Sequence, residues 1–167
     1  MQTLILNADQ IQKKITRIAY EIYEAHAGEK EIILAGITPG GYLFAARIKH
    51  ALQKISPLTI QLTKVGIDKS KPAYPAEIEM DKKQKPDNMS IVLADDVLNT
   101  GTILAYSMKA FLNFPVKSIR IAVLIDRNHT IYPIKSDYTG LSIATTLQEH
   151  VVVNLETKGK EFVALED

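Results

Sequence analysis

The order of apolar segments predicts an α/β protein: a mainly parallel sheet with helices on both faces, in a single domain over residues 1–167. Helix-period stripes alternate with short continuous apolar runs, the pattern of βαβ crossovers whose strands are buried on both sides. Several of those runs end in polar or glycine-rich loops, where an open sheet of this kind binds its ligands. A chain of 167 residues with 46% hydrophobic and 23% charged content has enough apolar surface for one proper core.

Each element follows from local chemistry. Asn7 suits an N-cap, with Gln10 three residues on in the capping-box place. Ile11, Ile15, Ile18 and Ile22 then share one helical face, and Gly28 is a natural stop. "EIILAG" reads as a buried strand running into Gly36, and "TPGG" leads to a second helix spaced by Phe44, Ile48, Leu52 and Ile55. "LTIQLTKV" alternates, as a strand with one wetter face does. From Gly66 to Asn88 the pattern fails among Pro72, Pro75 and Pro86, giving a long loop or loose hairpin. A strand over 91–95, a helix over 102–113 and a strand over 119–125 follow, with shorter strands expected near 134–138, 150–155 and 161–165.

Composition removes whole classes of function. The chain has no cysteine, which excludes disulfides, thiolate metal sites and Cys nucleophiles. A net charge of +1 gives no bulk electrostatic footprint for nucleic acid. The first residues, MQTLILNADQ, lack the basic and long apolar regions of a signal peptide, and no apolar stretch reaches membrane-spanning length. A cytoplasmic protein without membrane contact is expected.

Three strand ends carry the candidate chemistry: Thr38 to Gly41, Asp95 to Thr102, and Asp126 to His129. The middle one says most. Amides from Asn99 to Thr102 would be unpaired first-turn donors at the positive end of a helix dipole, a seat for phosphate. Gly101 allows close backbone approach, and the Thr100 and Thr102 hydroxyls add donors. Asp95 and Asp96 would repel that phosphate, so their partners are a vicinal diol or water on Mg²⁺. Phosphate, diol and magnesium together describe a ribose 5-phosphate. An Asp-Asp pair alone would read as a loop cap; the apolar strand before it and Thr-Gly at a helix start after it favour a site. G-x-x-x-x-G-K-[ST] and G-x-G-x-x-G are both absent.

"IVLADDVLNTGTIL" resembles the signature of type I phosphoribosyltransferases, which bind 5-phosphoribosyl-1-diphosphate (PRPP). "QIQKKITRIAYEI", "IILAGITPGGYLFAARI", "SIRIAVLIDRNHTIYPIKSDYTGLSIAT" and "VVVNLE" resemble the pyrimidine-operon regulator family, whose members pair RNA-binding attenuation with uracil phosphoribosyltransferase activity. The resemblance spans most of the chain outside 64–88. It implies that fold with a small C-terminal hood and a flexible flap over 66–88. It gives Asp95 and Asp96 the catalytic role, binding the ribose hydroxyls partly through Mg²⁺ and its waters. PRPP contacts would run on through Val97, Leu98, Asn99, Thr100, Gly101 and Thr102. Thr38, Pro39, Gly40 and Gly41 would cradle pyrophosphate; in the family that loop can hold a cis peptide. Arg127, with Asp126 and His129 beside it, would read the base, and Tyr138, Gly140 and Leu141 would form the hood over the ring.

Departures from the family pattern are local. "ITPGG" lacks the usual basic residue, Ile103 replaces a threonine that would close T-G-x-T, and Leu141 and Ala144 stand where relatives often have lysine and proline. The flap shows no basic-acidic pattern. His129 suits a loop cap as well as a ligand contact, and Asp126 could orient Arg127. His26, His50 and His150 read as surface or packing residues, Lys82 to Lys85 as a solvated face, and Tyr20 and Tyr23 as core edge or subunit interface. The leading expectation is a Mg²⁺-dependent phosphoribosyltransferase making a nucleoside monophosphate, from uracil or else a purine. The alternatives are an RNA-binding regulator that senses nucleotides and a degenerate nucleotide-binding scaffold. A homodimer or larger homo-oligomer is expected by analogy.

Overall fold

A capping box starts the first helix, α1 (Ala8–Ala25): the Gln10 amide donates to Asn7 Oδ1 and the Asn7 amide to Gln10 Oε1, both at 2.9 Å. Its isoleucine stripe is fully buried. The helix ends at His26 rather than Gly28. The His26 amide reaches the carbonyls of Ile22 and Tyr23, and its ring Nδ1 lies 2.7 Å from the Ile22 carbonyl, so this buried histidine is a C-terminal cap. The computed structural model describes residues 1–81 and 83–167; Lys82, part of the run read as a solvated face, lies outside the described residues.

Six strands form the main sheet: β2 (Glu31–Ile37), β3 (Thr59–Ile67), β4 (Ala76–Glu79), β5 (Ser90–Leu98), β6 (Ser118–Asp126) and β7 (Tyr138–Ser142), in the order β4-β3-β2-β5-β6-β7. All pairings are parallel except β3 with β4 at the edge. Alternation along each central strand feeds two cores. Ile32, Leu34, Val92 and Leu124 meet α1 and α2 (Gly40–Ile55) on one face, where Phe44, Ile48 and Leu52 are fully buried. Ile33, Ile91, Leu93 and Val123 meet α3 (Thr102–Phe111) on the other, around Phe111. Helices thus cover both faces, as the apolar runs predict.

The topology makes a crevice. The chain leaves β2 through α2 towards β3 and leaves β5 through α3 towards β6, on opposite faces and in opposite directions. Between the carboxyl ends of β2 and β5 the two loops part, which is where ligands bind in such sheets.

Several boundaries differ from the sequence expectation. β5 continues through Asp95 and Asp96 to Leu98, because the parallel ladder with β6 persists: Asp95 pairs with Val123 and Val97 with Ile125. The acids therefore sit within the strand end rather than beyond it. α3 stops at Phe111, two residues before the expected 113. The strand expected near 134–138 lies at Tyr138–Ser142. The 66–88 segment contains a true hairpin, with β4 registered against the end of β3 from Lys64–Glu79 to Ile67–Ala76. β1 (Gln2–Leu6), absent from the sequence reading, joins β9 (Phe162–Glu166) and β8 (His150–Asn154) in an antiparallel sheet ordered β1-β9-β8. Among the described residues no helix is long and apolar enough to cross a membrane.

Candidate active site

A cavity of about 400 Å³ opens in the crevice between the ends of β2 and β5. Thr38, Pro39 and Gly40 form one wall, Asp95 to Leu104 another, and β8 with the residues after it a third.

The first wall is held by its backbone. The Thr38 amide donates to the Val65 carbonyl at 3.0 Å, prolonging the β2–β3 ladder, and the Thr38–Pro39 peptide is cis. The two glycines lie directly on β5. A Cβ on Gly40 would enter the Asp96 carboxylate, and one on Gly41 would lie 2.6 Å from the Ala94 carbonyl oxygen and 2.9 Å from Asp95 Cα. Gly41 itself is packed beneath the loop and does not line the cavity.

Asp95 and Asp96 order each other through the main chain: the Asp96 amide donates to Asp95 Oδ1 and the Val97 amide to Asp96 Oδ1, both at 2.9 Å. Burial, then the neighbouring Asp96 charge, pushes the Asp95 carboxyl well above the ordinary carboxylate range, and Lys69 only partly offsets this. A site that strains against its own ionisation is suited to receiving a cation.

The third feature is the anion seat. Gly101 adopts φ 83°, a conformation that favours glycine, and a Cβ there would sit 3.0 Å from Ile134 Cβ. Among the described residues, the amides of Thr100, Gly101, Ile103 and Leu104 find no protein acceptor. They open onto the cavity at the positive end of α3. The Thr100 and Thr102 hydroxyls lie 2.8 Å apart, and the Thr100 carbonyl accepts the Ile131 amide at 2.9 Å, which braces the turn.

Arg127, Asp126, His129, Tyr138, Gly140 and Leu141, expected at the nucleobase, lie outside the lining of this cavity. Arg127 is a strut. Its guanidinium donates to Thr145 Oγ1, Asn99 Oδ1 and the carbonyls of Thr146 and Glu149, at 2.7–3.0 Å. Asp126 does not orient it, accepting the Asn128 amide instead at 2.8 Å, and His129 Nε2 meets the Thr145 carbonyl. Together these residues hold the chain after β7. Tyr138 is buried in the sheet, Gly140 lies against the Leu124 carbonyl, and Leu141 packs on the first core.

The cavity also has lining residues that the sequence reading did not single out. Val151, Val153, Asn154, Leu155 and Glu156 form the third wall, and Lys69 reaches the cavity from the β3–β4 hairpin. "VVVNLE" carried a usable signal: an apolar run ending in polar residues, as at Asp95. The wall is tied to α2 by Arg47, which donates to Glu161 Oε1 and to the Leu155 carbonyl, both at 2.5 Å.

Fold and site together define a phosphoribosyltransferase: the chain matches the family of the phosphoribosyl transferase domain over residues 1–158 and belongs to it. It is similar to the bifunctional protein PyrR of Macrococcus caseolyticus, with 33% identity over 159 residues covering 92% of this chain and 91% of the relative. PyrR of Chloroflexus aurantiacus is 36% identical over 171 residues, covering 96% and 93%. In fold it is similar to the hypoxanthine phosphoribosyltransferase of Trypanosoma cruzi, with a TM-score of 0.78 at 15% identity over 97% of this chain and 95% of that one. The hypoxanthine-guanine phosphoribosyltransferase of Bacillus anthracis gives a TM-score of 0.75 at 17% identity, covering 99% and 97%.

Proposed function

We propose that the chain transfers the 5-phosphoribosyl group of PRPP to a nucleobase, uracil in the reading the resemblance favours, releasing pyrophosphate. The observation that carries this is the meeting in one cavity of the Asp95–Asp96 pair, the open amides at the start of α3 and the Thr38–Gly40 loop.

The roles follow from charge and donors. Amides of Thr100, Gly101, Ile103 and Leu104 and the Thr100 and Thr102 hydroxyls take the 5-phosphate, the group richest in acceptors. Val97, Leu98 and Asn99 carry the chain from the acids to that seat. Asp95 and Asp96 accept from the ribose hydroxyls. The Thr38–Gly40 backbone faces the diphosphate, with Gly41 keeping that loop against β5. The apolar wall of Val151, Val153 and Leu155 suits the flat face of a base, with Asn154 as its polar contact.

The donor set fits Mg²⁺ only in company. Among the described residues no group of three or more His, Cys, Asp or Glu could hold a metal unaided. A paired carboxylate site in which one acid resists ionisation would share the ion with substrate oxygens and water. Bound there, Mg²⁺ would supply charge neutralisation for the diphosphate. In the reaction the bond from ribose C1 to the diphosphate oxygen breaks, its electron pair leaving with pyrophosphate. A ring nitrogen of the base forms the new bond to C1, and its proton passes to solvent. Positive charge grows on the ribose as the old bond lengthens, and the Asp95–Asp96 pair stabilises it.

Calorimetric titration with PRPP and Mg²⁺ tests the site. Wild type should bind saturably, and an Asp95→Asn, Asp96→Asn double variant should lose roughly 10- to 100-fold in affinity through lost charged hydrogen bonds. Equal affinity in the two proteins would overturn the assignment.

A further inference from the structure

We propose that Tyr106 of α3 is a positioning residue. It ties the tip of the β3–β4 hairpin to the phosphate seat, so that filling the seat and docking the tip favour each other. The inference rests on the assignment of that seat to the 5-phosphate and says what its occupancy does elsewhere in the molecule.

Three tyrosines from three segments meet at α3. The Tyr106 ring packs on Tyr74 of the hairpin, centroids 5.3 Å apart, and on Tyr132 at 6.2 Å. Tilted pairs at these spacings attract beyond the area they bury. Among the described residues none of the three tyrosines lines the cavity, so their influence on it is indirect.

Both ends of this row are committed. The amides of Ile131 and Tyr132 donate to the Thr100 carbonyl at 2.9 and 3.3 Å, which joins Tyr132 to the seat. Tyr106 itself stands less than one helical turn after Ile103, whose amide opens into the seat. At the other end, Ala73 and Tyr74 hold φ of 61° and 38°, the left-handed region that side chains disfavour. A groove of about 260 Å³ lies between the tip and α3, lined by Ala73, Pro75, Lys109 and Ala110. The tip is therefore not packed flat on the helix, and the Tyr74–Tyr106 contact holds a backbone that would otherwise relax.

A tip held by an aromatic contact against its own backbone strain has two states, docked and released, and the seat biases them. A phosphate on the Thr100 to Leu104 turn fixes the start of α3 and the Thr100 carbonyl, and with them Tyr106 and Tyr132. The rings then hold Tyr74, and through it the hairpin whose Lys69 lines the cavity.

The probe is ribose 5-phosphate, which brings the phosphate without the diphosphate. Wild type, Tyr106→Ala, Tyr106→Phe, Tyr74→Ala and the Tyr74→Ala, Tyr106→Ala double variant are compared by calorimetry and by hydrogen exchange. Tyr74 and Tyr106 belong to neither core, so the fold withstands these changes. The reporters are the Asp68 amide, bonded to the Pro75 carbonyl at 2.9 Å, and the Tyr74 amide, bonded to the Lys71 carbonyl at 3.3 Å. In wild type the ligand should slow exchange at Asp68 and Tyr74 about tenfold, an ordinary size for coupling between sites. Tyr74→Ala and Tyr106→Ala should each abolish that slowing and weaken ribose 5-phosphate binding by up to the same factor, because coupling is reciprocal. The double variant should be no worse than either single one, and Tyr106→Phe, which keeps the ring, should behave as wild type. Unchanged affinity and exchange response in Tyr74→Ala, or additive losses in the double variant, would overturn the coupling and leave the transferase reading intact. A wild type that binds neither ribose 5-phosphate nor PRPP would overturn both.

Discussion

Asp95 shows how far a single residue departs from what the fold would choose for itself. Its carboxyl is raised by burial and by the Asp96 charge, so the folded state resists its ionisation. That penalty is absent below the ordinary aspartate value of 3.8 and grows as pH rises from there towards the elevated folded value. Asp95→Asn should therefore melt higher than wild type at pH 7 in Mg²⁺-free buffer, with the gap closing below about pH 3.8, as read by thermal denaturation across pH. A variant less stable than wild type at pH 7 would contradict this account of the pair. Asp95, Thr100 and Gly101 were legible in the sequence because local chemistry marks them: acids ending an apolar run, then small donors before a helical stripe. The surroundings of Arg127 were not legible, because its letters show a cation at a strand end but not the four acceptors folded around it. Lys69 left no signal, since a lysine in a proline-rich loop has neither period nor neighbours to mark it.

At the scale of elements, the third wall of the cavity depends on a nearly buried ion pair. Glu161 is only 7% exposed. Burial raises its pKa, but hydrogen bonds from its own backbone, Arg47 and the Gly159 amide outweigh this and hold it below the usual glutamate value of 4.5. Its contribution to stability is therefore present above pH 4.5 and lost as pH falls through the lowered folded value. Arg47→Met would strand a buried carboxylate at neutral pH. It should cost about 3–5 kcal/mol in denaturant unfolding, with a smaller loss in acid where Glu161 can take a proton. A cost under ~1 kcal/mol at pH 7 would mean that the wall is held by other contacts. The long elements were read well because α1, α2 and the central strands bury regular stripes. β1 was missed because five residues at the chain start become a strand only by pairing with β9 at the other end of the sequence, Gln2 facing Glu166. The β3–β4 hairpin was left open for a related reason: its prolines and charges hide the pairing of Val65 with Ile78.

Across the whole molecule, a sheet with a core on each face places two diverging loops at one crevice, and the small β1-β9-β8 sheet closes its side. The α/β class, the helices on both faces and the meeting of Thr38–Gly41 with Asp95–Thr102 were all foreseeable, since each follows from apolar runs and the rule for ligand crevices. The composition of the third wall was not, because it arises from a strand far along the chain folding back over the sheet end. That architecture makes one central claim: the cavity performs phosphoribosyl transfer through Asp95 and Asp96. The decisive measurement is formation of nucleoside monophosphate from PRPP and Mg²⁺ with uracil, hypoxanthine, guanine and orotate in parallel, and the Asp95→Asn, Asp96→Asn variant as blank. The account predicts base-dependent turnover, with uracil the preferred acceptor, that vanishes in the variant. Wild-type protein that binds PRPP yet turns over none of the four bases would contradict it.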